Sequence, residues 1–132
     1  MKQNKYRAPQ IPTPKKNYKV EDDTGEFWYY GDMMHRDGDL PAQIHRNGVQ
    51  IWMKHGRHHR TTGPCVIYPH PREFTVYERH GSNNTVAQTP KKYRWYIRGS
   101  IYTYEAYIAT LTKMGGLYVD RAIMVKLTYA DE

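Results

Sequence analysis

The sequence has little of what holds secreted or membrane-embedded proteins together. Cys65 is its single cysteine, so an internal disulfide is excluded and a reducing compartment is favoured. No apolar run approaches the ~18 residues that a membrane-spanning helix needs. The N-terminus also lacks the apolar stretch of a signal peptide. We therefore expect a soluble, cytoplasmic protein.

Motifs of the common enzyme classes are missing as well. The chain contains no G-x-S-x-G nucleophile elbow, no glycine-rich phosphate loop with lysine and no H-E-x-x-H zinc motif. Cys65 and His59 are of the right types for a nucleophile and its base, but Cys65 occupies the small-residue position of a repeat, which favours a buried structural thiol. We expect no enzymatic activity, no catalytic residue and no cofactor.

What the chain does have is tyrosine and positive charge. It contains 13 Tyr, 3 Trp and 2 Phe, while hydrophobic residues make up 39% and the mean hydropathy is -0.91. Each aromatic ring buries roughly 150–250 Å² when packed, so aromatics must supply much of the core. The net charge of +7 favours acidic partners: a protein surface, nucleic acid or anionic lipid.

The first 20 residues differ in composition from the rest. Prolines 9, 12 and 14 lie among basic and polar residues, which predicts an extended arm over residues 1–20. Residues 21–132 are then expected to form a single domain.

That domain contains an internal repeat with an offset of 24 residues. The first unit has a tryptophan, a glycine, a His-Arg pair and a proline followed by a small residue, and the second unit repeats them. A third, partial unit keeps the tryptophan and the glycine. The repeat residues are Trp28, Gly31, His35, Arg36, Pro41 and Ala42; Trp52, Gly56, His59, Arg60, Pro64 and Cys65; Trp95 and Gly99.

Each unit predicts a β-hairpin, in which an aromatic strand, a glycine turn and a short apolar strand follow one another. We therefore predict a mainly β fold, an antiparallel meander of stacked hairpins with one C-terminal helix. The helix is expected near residues 104–114, capped by Thr103 and ended by Gly115-Gly116. For residues 117–129 the alternation of apolar residues favours a strand, although Asp120 would also cap a second helix.

The two full units resemble the MORN-variant type of repeat. More closely, they are similar to W-Y-x-x-G-x-x-H-R-x-x-G-P-A proteins of bacteriophages and large DNA viruses. The resemblance covers residues 27–68 well and 93–108 loosely. It implies β-hairpin repeats that contact protein or lipid, and no catalytic residue. The first unit departs from the pattern at Asp39-Leu40, and the second has Cys65 in place of alanine.

Two sets of polar residues allow more than one interpretation. His55, His58, His59 and Cys65 are of types that bind zinc, but their spacing fits no closed ligand set, so we expect no metal site. Arg36 and Arg60 recur with the repeat, which favours stacking on a neighbouring aromatic ring over anion recognition.

Basic residues interleave with aromatic ones around the second and third tryptophans. We predict that contact residues lie there, namely Lys54, Arg57, His58, Lys91, Lys92, Arg94, Tyr96 and Arg98. The favoured function is a phage- or virus-type accessory protein that binds and modulates a host or viral protein. The alternative is a basic nucleic-acid-binding module, with anionic lipid a weaker option. An exposed sheet edge would also allow a homodimer.

Overall fold

Within the described residues, short strands and tight turns alternate up to residue 102 and are followed by helix. The computed structural model describes residues 15–72, 77–80, 83–86 and 91–129. Its strands are β1 (Asn17–Asp22), β2 (Gly25–Tyr30), β3 (Met33–Met34), β4 (Gln43–His45), β5 (Gln50–Ile51), β6 (Met53–Lys54), β7 (Arg57–His58), β8 (Val66–Arg72), β9 (Tyr77–His80), β10 (Asn83–Val86), β11 (Lys91–Ile97) and β12 (Ser100–Tyr102). Its helices are α1 (Tyr104–Met114) and α2 (Leu117–Thr128).

The first hairpin shows how the sequence specifies these turns. The carboxylate of Asp22 accepts hydrogen bonds from the backbone N–H of Thr24 at 2.7 Å and from its hydroxyl at 2.6 Å, which fixes the turn between β1 and β2. Gly25 then lies against β4, where a Cβ atom would be 2.3 Å from the carbonyl oxygen of Ile44. Glycine is therefore required for β2 and β4 to pair.

The main sheet runs in the order β1-β2-β4-β5-β8-β11-β12, with β3 paired to β2. Smaller two-stranded ladders join β6 to β7 and β9 to β10. The register alternates side chains between two faces. One cross-strand row, on what we call the open face, consists of Phe27, Gln43, Ile51, Val66 and Arg94. The next row, on the covered face, consists of Glu26, Ile44, Gln50, Ile67 and Tyr93.

Both helices pack on the covered face. Helix α1 begins where the hydroxyl of Thr103 accepts the N–H of Ala106, as in a helix N-cap. Its buried side chains, together with those of α2, form the core with two residues of β11. That core consists of Trp95, Ile97, Tyr107, Leu111, Ala122 and Val125.

The mainly β fold class is confirmed, as is the helix at residues 104–114. The strand favoured at residues 117–129 is wrong, because this segment forms α2. Ala122 and Val125 are the buried residues of α2, three apart as on one helix face. Of the alternating apolar residues, Ile123 and Leu127 are 50% and 75% exposed.

The predicted arm is described only in part. Residues 1–14 lie outside the described residues, while residues 17–20 belong to strand β1. In the part of the chain that the structure describes, neither helix is long and apolar enough to cross a membrane.

Candidate functional site

The two full repeat units share two arginine contacts. The guanidinium of Arg36 lies 3.8 Å from the centre of the Trp28 ring, and that of Arg60 lies 3.9 Å from the centre of the Trp52 ring. Each guanidinium also donates to the carbonyl oxygen of its unit's proline, at 3.2 and 3.0 Å. Both arginines are thus engaged within the sheet scaffold, as the stacking interpretation predicts.

The repeated histidines join each unit to the next. Nδ1 of His35 accepts the backbone N–H of His55 at 3.1 Å, and Nδ1 of His59 accepts that of Arg98 at 2.9 Å. Because a ring nitrogen accepts only with a free lone pair, both contacts need Nδ1 unprotonated. Burial, followed by the charges of Arg98, Lys54 and Arg121, lowers the pKa of His59.

The small residues of the repeat are fully buried. Ala42 and Cys65 are each 0% exposed, and their carbonyl oxygens accept the backbone N–H groups of Trp28 and Trp52, both at 2.8 Å. The thiol of Cys65 donates to the Trp52 carbonyl, and burial raises its pKa to about 12. A thiol in this state is a poor nucleophile.

The third tryptophan has tyrosines where the others have arginine. The ring of Trp95 lies 4.9 Å from that of Tyr107, 5.3 Å from that of Tyr104 and 5.5 Å from that of Tyr129. The hydroxyl of Tyr107 lies 2.7 and 3.0 Å from the carbonyl oxygens of Arg60 and Gly63, to which it donates. The helices therefore close the stack of hairpins at its C-terminal end.

The four residues considered as zinc ligands make separate contacts. His55 stacks on His35 at 4.4 Å between ring centres, His58 on Tyr96 at 4.8 Å, and His59 and Cys65 bond to backbone groups as described above. Among the described residues, no group of three or more His, Cys, Asp or Glu side chains is placed to hold a metal ion.

An open groove of about 270 Å³ crosses the open face over strands β5, β8 and β11. Three of the predicted contact residues, His58, Arg94 and Tyr96, line it together. The remaining described lining residues are His45, Asn47, Val49, Ile51, Val66 and Tyr68. None of these described lining residues is acidic, so the groove combines positive charge with an apolar floor.

The cationic part of the groove is half-buried. His58 and Tyr96 lie with their ring planes 31° apart. Burial, and then the charge of Arg94, lowers the pKa of His58, so the histidine is mostly neutral at pH 7. Arg94 carries the permanent charge, and its guanidinium lies 3.5 Å from the Tyr68 hydroxyl. An anion here would meet a partly desolvated guanidinium and several polar donors, where charge-assisted hydrogen bonds are strong.

The other predicted contact residues lie elsewhere. Lys54, Arg57 and Arg98 are at or beside the tips of the hairpins, and Lys54 donates to the backbone carbonyl of Arg36 at 2.8 Å. Lys91 and Lys92 lie at the start of β11, where the register with β8 shifts. The eight residues therefore form three separate groups.

Sequence reasoning missed the half of the groove that comes from β4, β5 and the loop between them. The available signal was the alternation of His45, Val49 and Ile51 around Asn47-Gly48, which places apolar residues beside a basic strand. These residues form a site only together with Arg94 of β11, which is distant from them in the sequence. This stretch of sequence alone therefore does not predict the groove.

Comparison of the chain with protein-family models, with curated proteins and with solved structures found no match in any of the three.

Proposed function

We propose that this protein is a non-enzymatic accessory protein of the phage or viral type, which acts in the host cytoplasm by binding a host or viral protein. Its contact site is the groove of the open face, and the ligand is an acidic, extended segment of the partner. The observation that carries this proposal is the placement of Arg94 and His58 above an apolar floor, without an acidic residue among the described lining.

The groove suits a peptide segment that carries both a carboxylate and an apolar side chain. The carboxylate would receive charge-assisted hydrogen bonds from Arg94, and the apolar side chain would pack on Val49, Ile51 and Val66. The net charge of +7 would speed the encounter with an acidic partner.

Nucleic acid is the alternative ligand, and the arrangement of rings favours it less. Single-stranded nucleic acid binds where exposed rings follow a cationic groove. Trp95 is 2% exposed, and the ring of Tyr93 packs edge-on against those of Trp95 and Tyr129. Lys54, which belongs to the basic-aromatic set around the second tryptophan, donates to the Arg36 carbonyl. Trp95 and Tyr93 are therefore packed beneath the helices, and Tyr68 and Tyr96 are the described tyrosine rings that line the groove.

A peptide-display selection on the purified full chain tests the proposal. We expect enrichment of sequences that combine Asp or Glu with a large apolar residue. Their binding should fall about tenfold or more in Arg94→Met, because a charged hydrogen bond contributes about 1.5–3 kcal/mol. Lys113→Met is the matched control, since it removes an exposed charge on α1, away from the groove.

Three outcomes would contradict the proposal. The first is selection of peptides without acidic residues, and the second is equal loss of binding in both variants. The third is recovery of nucleic acid alone from host cells, with no protein retained after nuclease treatment, which would support the alternative.

A further inference from the structure

Strand β1 lies at one edge of the main sheet, and among the residues that the structure describes no strand pairs with its outer side. The N–H of Gly31 donates to the carbonyl of Lys16 at 3.1 Å, and Asn17 pairs with Tyr30. In an antiparallel ladder hydrogen-bonded and non-hydrogen-bonded pairs alternate. It follows that Asn17, Lys19 and Glu21 direct their backbone N–H and C=O groups away from β2, toward a further strand.

The charges along this edge are ordered. The strand and its flanks begin with basic residues and end with acidic ones, in the sequence Lys15-Lys16-Asn17-Tyr18-Lys19-Val20-Glu21-Asp22-Asp23. Charged edges normally prevent pairing with other chains. This edge, however, is complementary in charge to the same edge of a second copy, because an antiparallel arrangement brings basic residues opposite acidic ones.

The register centred on Val20 satisfies both the backbone and the charges. If Lys19 faces the second copy's Glu21, both residues present outward backbone groups to each other, and the symmetric pair does the same. Val20 then lies on the two-fold axis, opposite the second copy's Val20. The register shifted by one step along each strand would instead place Lys19 opposite its own copy, and like charges directly opposite destabilise a sheet.

The exposed apolar side chain at the centre of the edge fits the same arrangement. Val20 is 42% exposed and pairs with Phe27, so it lies on the open face. Lys19 lies 2.5 Å from Glu26 of β2 and 3.2 Å from Glu21 of its own strand, which places these charges on the opposite face. Association would therefore bury the valine pair on one side and join four alternating charges on the other.

We propose that the chain self-associates through β1 as an antiparallel, two-fold symmetric dimer, which joins two main sheets into one. The two open faces then lie side by side on a continuous surface. This dimer is independent of the identity of the groove's ligand, and it would give two grooves in one assembly.

Charge exchange tests the pairing in a way that a folding defect cannot imitate. Sedimentation equilibrium of the full chain should show a reversible dimer. Glu21→Lys and Lys19→Glu should each weaken it by about tenfold or more, which corresponds to about 1.4 kcal/mol. An equimolar mixture of the two variants should restore the dimer as a heterodimer, since every pair is again of opposite charge.

Cross-linking tests the register. Directly opposite residues of a non-hydrogen-bonded pair have Cα atoms ~4.5 Å apart, within the range of a disulfide. Val20→Cys should therefore form a covalent dimer under mild oxidation. Lys16→Cys is the control, because residue 16 of the two copies would lie roughly 26 Å apart at ~3.3 Å per residue. Cys65 is buried and does not compete.

Several results would overturn the dimer. A wild-type chain that stays monomeric at millimolar concentration would exclude it. A dimer that both charge variants leave unchanged would place the interface elsewhere, and so would a mixture that fails to recover. Equal cross-linking of the two cysteine variants would refute the register.

Discussion

Replacing Arg60 by lysine tests whether the repeated arginine belongs to the scaffold. Besides its stack on Trp52 and its bond to the Pro64 carbonyl, Arg60 donates from Nε to Asp39 at 3.0 Å. The Arg60 side chain is only 13% exposed. Lysine keeps the charge but loses the planar surface and the fork of donors, so Arg60→Lys should destabilise the fold.

The first unit supplies the matched control and the magnitude. Arg36 has the stack and the carbonyl hydrogen bond, whereas Arg60 also contacts Asp39 and, at 3.2 Å, the Thr62 hydroxyl. We take about 1 kcal/mol for the stack. The ionic hydrogen bond adds about 1 kcal/mol, reduced for solvent screening because Asp39 is 47% exposed. Arg36→Lys should therefore cost about 1 kcal/mol and Arg60→Lys about 2 kcal/mol.

Urea unfolding followed by circular dichroism measures both free energies. The two variants should differ in transition midpoint with an unchanged slope, and Asp39→Asn should remove most of the difference between them. If Arg60→Lys costs no more than Arg36→Lys, the aspartate contact contributes nothing. If neither variant is destabilised, the scaffold role of the two arginines is refuted and anion recognition becomes the favoured interpretation.

Three further predictions follow from buried polar groups. Tyr107→Phe should lower the free energy of unfolding by about 1–3 kcal/mol in a urea titration, because it leaves buried carbonyl groups without a donor; an unchanged midpoint would contradict this role of the Tyr107 hydroxyl. The fold lowers the pKa of His59 below its ordinary value of 6.5. Below that pH the unfolded chain therefore binds more protons than the folded chain, so the free energy of unfolding that is present above pH 6.5 should decline as the pH falls. His59→Asn, which keeps an acceptor but does not titrate, should flatten that decline in urea titrations at several pH values, and an unaltered slope would exclude His59 as its cause. Cys65 should resist thiol reagents in the native state and react only on unfolding, since it is 0% exposed with a pKa of about 12; rapid native labelling would refute its burial.

Much of the scaffold was readable from the sequence because the repeat carries it. The 24-residue offset paired Trp28 with Trp52 and Arg36 with Arg60, and these pairs make equivalent contacts. The helix at residues 104–114 was also predictable, since its cap and its apolar face are both local features. Local signals of this kind do not depend on distant parts of the chain.

The second helix and the groove were not readable in the same way. In α2 the buried pair Ala122 and Val125 is short and lies within an alternating apolar pattern, so periodicity favoured the wrong structure. Its burial depends on α1, a tertiary effect that overrides local preference. The groove depends on strand order, which brings Arg94 of β11 beside Val66 of β8 and Ile51 of β5.

The net charge follows from the composition, but the distribution of the basic residues over the surface was not predicted correctly. The sequence predicted contact residues in two basic-aromatic sets, one with Lys54 and the other with Arg94 and Arg98. In the fold Lys54 and Arg98 lie at hairpin positions, while Arg94 lines the groove. Runs of sequence cross from one face of a strand to the other, so neighbours in the chain need not share a surface.

The central claim is that the open-face groove binds an acidic protein segment, and chemical-shift mapping tests it most directly. The backbone amide spectrum of the isotope-labelled chain would be recorded while a selected acidic peptide is added. We predict that the largest changes occur at His58, Arg94, Tyr96 and Ile51, and that Arg94→Met needs about tenfold more peptide to produce them. Changes confined to the hairpin tips around Lys54 and Arg98, or equal in the Arg94→Met variant, would contradict the claim.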